Sequence, residues 1–116
     1  MNSYKNVVIV SGSRELPDDG KVERELDDLR PDLIVHGHNP RGADSYADRY
    51  ARTKGIDFKR FPANWNEFGL AAGPIRNSEM LREFKQATLL AFPRKGPGTK
   101  DCIKQAREMG MKIIVR

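Results

Sequence analysis

The sequence predicts a single α/β domain over residues 1–116, with a mostly parallel five-stranded sheet and helices on both faces. Short apolar runs alternate along the chain with segments whose apolar residues recur at helical spacing, an order typical of βαβ units. Glycine- or proline-containing turns follow several of these segments. The length of 116 residues, with 38% hydrophobic and 32% charged residues, suits one globular domain.

Five strands are predicted from short apolar runs that end in turns. The first is the clearest, because four β-branched residues precede a Ser-Gly-Ser turn. The third is less regular, since Lys59 and Arg60 interrupt it. The predicted strands are Val7–Val10, Asp32–Val35, Ile56–Phe61, Ala87–Phe92 and Lys112–Val115. In a parallel sheet the ligand lies beyond the carboxyl ends of the strands, where the strand order reverses.

Four helices are predicted between the strands, from apolar residues spaced three and four apart. They cover Asp18–Leu29, the segment from Ala43 to a stop at Gly55, Ile75–Phe84 and Thr99–Met109. Pro62–Gly73 is predicted as a loop of about a dozen residues, and its length makes it a candidate functional segment.

Composition excludes several classes of protein. Cys102 is the single cysteine, so there is no internal disulfide and no cysteine-rich zinc site. The apolar runs are far shorter than the roughly 20 residues of a membrane helix, and the N-terminus lacks a signal-peptide core. We therefore expect a cytoplasmic protein without membrane contact. His36 and His38 have no third ligand beside them, so we expect no metal and interpret both as polar turn residues.

The net charge of +5 is concentrated in the second half of the chain. Residues 1–58 hold nine basic and eleven acidic side chains, whereas residues 59–116 hold twelve basic and five acidic ones. An unevenly charged, solvated surface explains this skew as well as an anionic partner does. Arg76, Arg94, Lys95 and Lys100 gather around two predicted helix starts, which favours a single phosphate over an extended duplex.

The turn after the first strand has residue types that bind phosphate. A glycine allows close backbone approach, two hydroxyls donate hydrogen bonds, and a guanidinium adds a positive charge. The same tripeptide also forms ordinary turns. The candidate residues are Ser11, Gly12, Ser13 and Arg14.

A second small-residue turn follows the second strand. Gly37, Gly42 and Ala43 leave room for a ligand near the backbone. Asp44 stands at the predicted helix start, where it serves either as a plain N-cap or as an acceptor for a ribose hydroxyl.

The third predicted helix begins after Gly73 and Pro74, which places Arg76 and Asn77 in its first turn. A cation there is disfavoured by the helix dipole, so an anionic ligand nearby explains Arg76 better than helix stability does. Upstream, Trp65 either stacks on a base or packs the loop against the domain.

The loop Pro93–Thr99 leads into the fourth predicted helix. Gly96, Gly98 and Thr99 supply free amides and a hydroxyl at a helix N-terminus, which is an anion site in physical terms. The loop lacks a Walker A ending, and the Ser11 turn does not match GxGxxG. Classical dinucleotide binding is therefore unsupported, and we expect no cofactor.

Together these segments resemble the SLOG superfamily of Rossmann-like proteins, and within it the small YspA-like group. The resemblance is carried, in chain order, by VVIVSGSR (Val7–Arg14), HGxxxxGAD (His36–Asp44), PAxW (Pro62–Trp65), AGPIRNxxML (Ala72–Leu81) and AFPxxGxGTxDC (Ala91–Cys102). It implies a five-stranded Rossmann-like core that binds a nucleotide or a nucleotide-derived ligand, phosphoribosyl or ADP-ribosyl, as a sensor or a nucleotide-processing protein.

The same superfamily includes the cytokinin-activating phosphoribohydrolases, which suggests N-glycosidic cleavage of a nucleotide as an alternative function. By position in its motif Arg76 matches their arginine, and Gly96, Gly98 and Thr99 match their glycine-rich loop. Their catalytic glutamate falls where this chain has Cys102, and Asp101 stands one place earlier. In a hydrolase of this kind, Arg76 would hold the phosphoribosyl group, and Asp101 would polarise the attacking water or stabilise oxocarbenium-like charge.

The superfamily also includes the DNA-processing protein DprA, which suggests nucleic-acid binding as a second alternative. The basic second half of the chain is consistent with it. A homodimer that completes the crevice is a further expectation for so small a chain.

Overall fold

A five-stranded, all-parallel sheet forms the centre of the fold in the computed structural model, which describes residues 3–116. The strands are β1 (Val7–Gly12), β2 (Leu33–His36), β3 (Asp57–Arg60), β4 (Thr88–Phe92) and β5 (Lys112–Val115). Their order is β3-β2-β1-β4-β5, and each neighbouring pair is parallel. The predicted α/β fold class and all five strands are confirmed.

Five α-helices connect the strands. They are α1 (Lys21–Leu29), α2 (Ala43–Lys54), α3 (Trp65–Phe68), α4 (Ala72–Glu83) and α5 (Pro97–Glu108). The four predicted helices are present, although α1 begins three residues later than predicted and α4 and α5 begin earlier. No helix of residues 3–116 is both long enough and apolar enough to cross a membrane.

The segment predicted as a loop, Pro62–Gly73, is largely helical. It contains α3, a 3-10 turn at Gly69–Ala71 and the start of α4. The side chain of Asn64 accepts a hydrogen bond from the Glu67 amide at 3.1 Å and donates one to the Glu67 carboxylate at 2.9 Å. The first bond satisfies the Glu67 amide at the start of α3, and the second, between the two side chains, holds the Asn64 cap in place.

Helices cover both faces of the sheet, as predicted. Alternate residues of a strand point to opposite faces, so Val8 and Val10 pack with α1 and α2, whereas Ile9 packs with α4 and α5. All three side chains are fully buried. Burial on both sides explains why the strand sequences are continuous apolar runs rather than alternating ones.

The strand order reverses between β1 and β4. The chain moves from β1 outward through β2 to β3, and then returns to place β4 on the other side of β1. The helices that follow these two strands therefore diverge to opposite faces, which opens a crevice beyond their carboxyl ends. Ser11 and Gly12, which end β1, pair with Ala91 and Phe92 at this edge.

Candidate functional site

A cleft of about 680 Å³ lies beyond the carboxyl ends of β1 and β4. The structure brings almost all of the sequence-predicted site residues together along its walls. Those that line the cleft are Ser11, Gly12, Ser13, Arg14, Gly37, Asp44, Trp65, Gly73, Arg76, Asn77, Gly96, Gly98, Thr99 and Asp101. Five separate segments of the chain therefore converge on one place.

Gly42 and Ala43 do not line the cleft, and the structure gives them a packing role instead. Gly42 has a φ of 76°, and a Cβ atom there would lie 2.1 Å from the Ser13 carbonyl oxygen. A Cβ at Gly12 would lie 2.5 Å from that of Ala43. These small residues let the start of α2 approach the end of β1, and so they shape the wall of the cleft from behind.

Asp44 is the most unusual group in the cleft, because its carboxylate is almost fully buried at 2% exposure. Its Oδ2 accepts the Asn39 amide hydrogen at 3.2 Å, whereas Oδ1 has no hydrogen-bond partner within residues 3–116. Burial raises the pKa of Asp44 to about 6, and that shift is opposed by the nearby charge of Arg76 and by the polar groups of Asn39 and Gly37. A buried acceptor without a partner costs free energy unless something donates to it.

The interpretation of Asp44 as a plain N-cap is wrong. The N-cap of α2 is Gly42, and no side chain hydrogen-bonds there. Asp44 lies inside the first turn and points its acceptor to Asn39, which precedes the helix. Asn39 itself lines the cleft and was not among the predicted residues.

Arg76 joins the ends of two strands to α4. Its Nη1 donates to the carbonyl oxygens of Gly37 at 2.6 Å and Phe61 at 3.2 Å, and its Nε donates to Asn77 Oδ1 at 3.0 Å. Gly37 makes room for the guanidinium, since a Cβ there would lie 2.1 Å from Nη1. Among the described residues, Nη2 has no recorded hydrogen bond and stays available to a ligand.

The helix-dipole argument for Arg76 does not hold in the structure. Because α4 begins at Ala72, Arg76 and Asn77 lie beyond the first turn, where the dipole has little effect. The position of Arg76 is explained by the two carbonyl groups that it binds.

Asp101 faces the cleft and Cys102 faces the core. Asp101 Oδ2 accepts hydrogen bonds from Asn77 Nδ2 at 3.0 Å and from Gln105 Nε2 at 2.8 Å. Asn77 Nδ2 also lies 3.3 Å from the Gly98 carbonyl oxygen. Cys102 is fully buried, and burial raises the pKa of its thiol to about 11. The carboxylate next to the cleft is thus the one that precedes the cysteine.

The start of α5 lines the cleft and has no side-chain cap from residues 3–116. Its N-cap, Gly96, has a φ of 106° and provides no side-chain cap, and its first turn contains no acidic residue. Lys95, Gly98 and Thr99 line the cleft at this end. Free amides, a positive helix terminus and a lysine together favour an anion.

An apolar rim borders the cleft at α3. Trp65 is half exposed at 52%, and its ring lies beside Gly73. Leu70 is almost fully exposed, and Pro74 and Met80 also line the cleft. Leu70 was not singled out in the sequence, because a lone leucine in a presumed loop has no periodic signal.

The interpretation of His36 as a polar turn residue is wrong. His36 ends β2 and is fully buried, with Nε2 at 2.7 Å from Asp48 Oδ2. The guanidinium of Arg60 holds the pKa of Asp48 well below its usual range. Asp48 was missed, although its spacing of four from Asp44 places both carboxylates on one face of α2.

Fold and cleft together define a small Rossmann-like protein with a polar crevice at the switch point of its sheet. A family model described as the YspA, cpYpsA-related SLOG family matches residues 6–68. The Gene 61 protein of Mycobacterium phage D29 is 36% identical over 118 residues, covering 92% of this chain and 93% of the phage protein. The chain belongs to the YspA, cpYpsA-related SLOG family. This membership indicates a nucleotide-related function.

Proposed function

We propose that the cleft binds a nucleotide or nucleotide-derived ligand through its ribose and phosphate. The observation that carries this proposal is the buried, unpartnered Oδ1 of Asp44 in a cleft that also contains the open N-terminus of α5. The cleft thus contains a buried acceptor that needs a hydrogen-bond donor and a helix start that favours an anion. A ribose phosphate provides both.

The ribose is assigned to Asp44. A sugar hydroxyl that donates to Oδ1 would satisfy the buried acceptor, and hydrogen bonds to a charged group contribute about 1.5–3 kcal/mol. The carboxylate is ionised at pH 7, because its pKa of about 6 lies below that value. Asn39 already occupies Oδ2 and so fixes the carboxylate plane for this contact.

The phosphate is assigned to the start of α5. Gly98 and Thr99 in the first turn of α5 line the cleft together with Lys95 and Arg14, and the first amides of a helix have no acceptor within the helix. Ser13 Oγ accepts from the Glu15 amide at 2.9 Å, which leaves its own hydrogen free to donate. The apolar rim of Trp65, Leu70 and Pro74 is suited to a base, which stacks without specific hydrogen bonds.

A panel of ligands tests the proposal by thermal shift. The probes are AMP, ADP-ribose, NAD, ribose 5-phosphate, inorganic phosphate and a single-stranded oligonucleotide. We expect stabilisation by probes that contain both ribose and phosphate, of about 2.7 kcal/mol at a ligand concentration 100 times Kd. Asp44→Asn should lose this stabilisation, whereas the control variant Asp28→Asn, at an exposed position of α1, should keep it. Absence of stabilisation by every probe, or an equal response from Asp44→Asn, contradicts the proposal.

A second candidate function is N-glycosidic hydrolysis, and the orientation of Asp101 favours it. Its Oδ2 is held by Asn77 and Gln105 beside the cleft, which orients the carboxylate for contact with a water molecule there. Asp101 would accept a proton from water as the water oxygen attacks C1′ of the ribose. The bond between C1′ and the base breaks, and the base leaves with the electron pair and takes up a proton. Free base that is released from AMP by the wild type but not by Asp101→Asn would establish this activity.

A further inference from the structure

A short segment after β2 contacts the two charged groups that define one side of the cleft. In this segment the Gly37 carbonyl accepts a hydrogen bond from Arg76 at 2.6 Å. Two residues later, the Asn39 amide donates to Asp44 Oδ2 at 3.2 Å. Any shift of the segment therefore moves a partner of both Arg76 and Asp44.

The segment is held by the buried side chain of His36, which does not line the cleft. Its ring Nδ1 accepts the His38 amide hydrogen at 3.0 Å, and its Nε2 lies 2.7 Å from Asp48 Oδ2. An ionised Asp48 only accepts, so Nε2 carries the hydrogen and Nδ1 is bare. Burial lowers the pKa of His36, which keeps the ring in this neutral form.

The ring of His36 has no freedom to turn away. Asp48 is fixed by two guanidinium groups, with Arg60 Nε and Arg52 Nε each at 2.8 Å from a carboxylate oxygen. The groups facing His36 are Asp48 of α2, Arg60 of β3 and the ring of His38.

The segment needs this support, because its backbone is strained. His38 has a φ of 60°, a conformation that costs a residue with a side chain about 1–2 kcal/mol. The bond from its amide to His36 Nδ1 is the contact that stabilises this conformation.

We propose that His36 is a positioning residue of the cleft, which sets the Gly37 carbonyl against Arg76 and the Asn39 amide against Asp44 through its bond to the His38 amide. The expected effect of His36 on ligand affinity rests on the proposed function. The expected effect of His36 on the conformation of the segment does not.

Two substitutions at position 36 test the two ring nitrogens independently, because each keeps the hydrogen bond of one nitrogen and removes that of the other. In His36→Asn, the side-chain oxygen takes the place of Nδ1 and still accepts from the His38 amide, whereas the bond to Asp48 is lost. In His36→Gln, the longer amide reaches Asp48, but no acceptor remains near the His38 amide. Each variant loses one buried hydrogen bond, so a merely structural role predicts equal effects on the segment.

Amide hydrogen exchange measured by NMR gives the first readout, and it needs no ligand. We expect the His38 and Asn39 amides to exchange at least about tenfold faster in His36→Gln than in His36→Asn, after correction for global stability. Equal exchange in the two variants overturns the proposal. If His36→Gln does not fold, the imidazole ¹⁵N shifts of the wild type test the proposal instead. Shifts that place the hydrogen on Nδ1 of His36 overturn the proposal, because Nδ1 could then not accept the His38 amide hydrogen.

Calorimetric affinity for AMP and ribose 5-phosphate gives the second readout. We expect His36→Gln to bind about tenfold more weakly than His36→Asn, and equal affinities contradict the effect on the cleft. If the wild type binds neither probe, the proposed function fails, while the exchange rates still decide the role of His36.

Discussion

Nδ2 of Asn77 lies 3.0 Å from Oδ2 of Asp101, and this hydrogen bond connects α4 to α5 beside the cleft. The same nitrogen lies 3.3 Å from the Gly98 carbonyl oxygen in the first turn of α5. Asn77 is almost fully buried, so its amide serves as a fixed cross-link between the two helices that form one wall.

Removal of this cross-link should destabilise the domain. Asn77→Ala leaves Asp101 with one fewer donor and Arg76 with one fewer acceptor in a partly buried site, so we expect the free energy of unfolding in urea to fall by about 1–3 kcal/mol. Ser78→Ala, at the neighbouring position whose side chain makes no hydrogen bond within residues 3–116, should change it by less than about 0.5 kcal/mol. Equal effects of the two substitutions would show that the cross-link contributes nothing.

The buried carboxylate of Asp44 should make stability depend on pH. Its folded pKa of about 6 lies above its usual 3.8, so this contribution is fully present below about pH 4 and is lost as pH rises through 6. Asp44→Asn has no such titration. We expect the free energy of unfolding of Asp44→Asn in urea, relative to that of the wild type, to increase by up to about 3 kcal/mol from pH 4 to pH 8. A difference that stays constant over this range contradicts the shift.

Two glycines with a similar φ but a different ψ, −149° at Gly42 and 30° at Gly55, should respond very differently to alanine. Gly42 and Gly55 have φ values of 76° and 69°. A Cβ at Gly42 meets the Ser13 carbonyl oxygen at 2.1 Å, whereas one at Gly55 meets nothing within 4 Å. We expect Gly55→Ala to cost about 1–2 kcal/mol and Gly42→Ala more than about 3 kcal/mol, because only Gly42 combines a conformation outside the left-handed helical region with a backbone clash. Thermal melts of comparable midpoint would disprove the close approach.

Cys102 should be unreactive in the folded protein. The thiolate is the nucleophile, and burial raises the pKa of this thiol to about 11. At pH 8 we expect a thiol reagent such as iodoacetamide to label the chain only in denaturant, as followed by mass spectrometry. Rapid labelling without denaturant would mean that the core around α5 opens readily.

Much of the fold follows from local patterns in the sequence. The strand Val7–Val10 is visible because its residues are β-branched and buried on both faces. The helical part of Pro62–Gly73 was missed because α3 is a single turn, too short for an apolar period, and only the pair Asn64 and Glu67 signals its start.

The site residues that directly follow strands could be predicted from the sequence. Their hydrogen-bond partners could not, where those partners come from a different element of the fold. Asp44 and Arg76 stand out by type and position, but their carbonyl and amide partners are set by the packing of β2, β3 and α4. The contact of Asp48 with His36 likewise depends on α2 lying against β2, which no spacing within the chain reveals.

Binding of a ribose phosphate in the cleft can be tested by an NMR titration of ¹⁵N-labelled protein with AMP. We expect amide shift changes at two places, the segment Gly37–Asp44 and the start of α5 at Gly96–Thr99. We also expect Asp44→Asn to abolish the first set and to weaken binding about tenfold or more. Saturating AMP that shifts no amide, or shifts only residues away from the cleft such as the edge strand Asp57–Arg60, would contradict binding in the cleft.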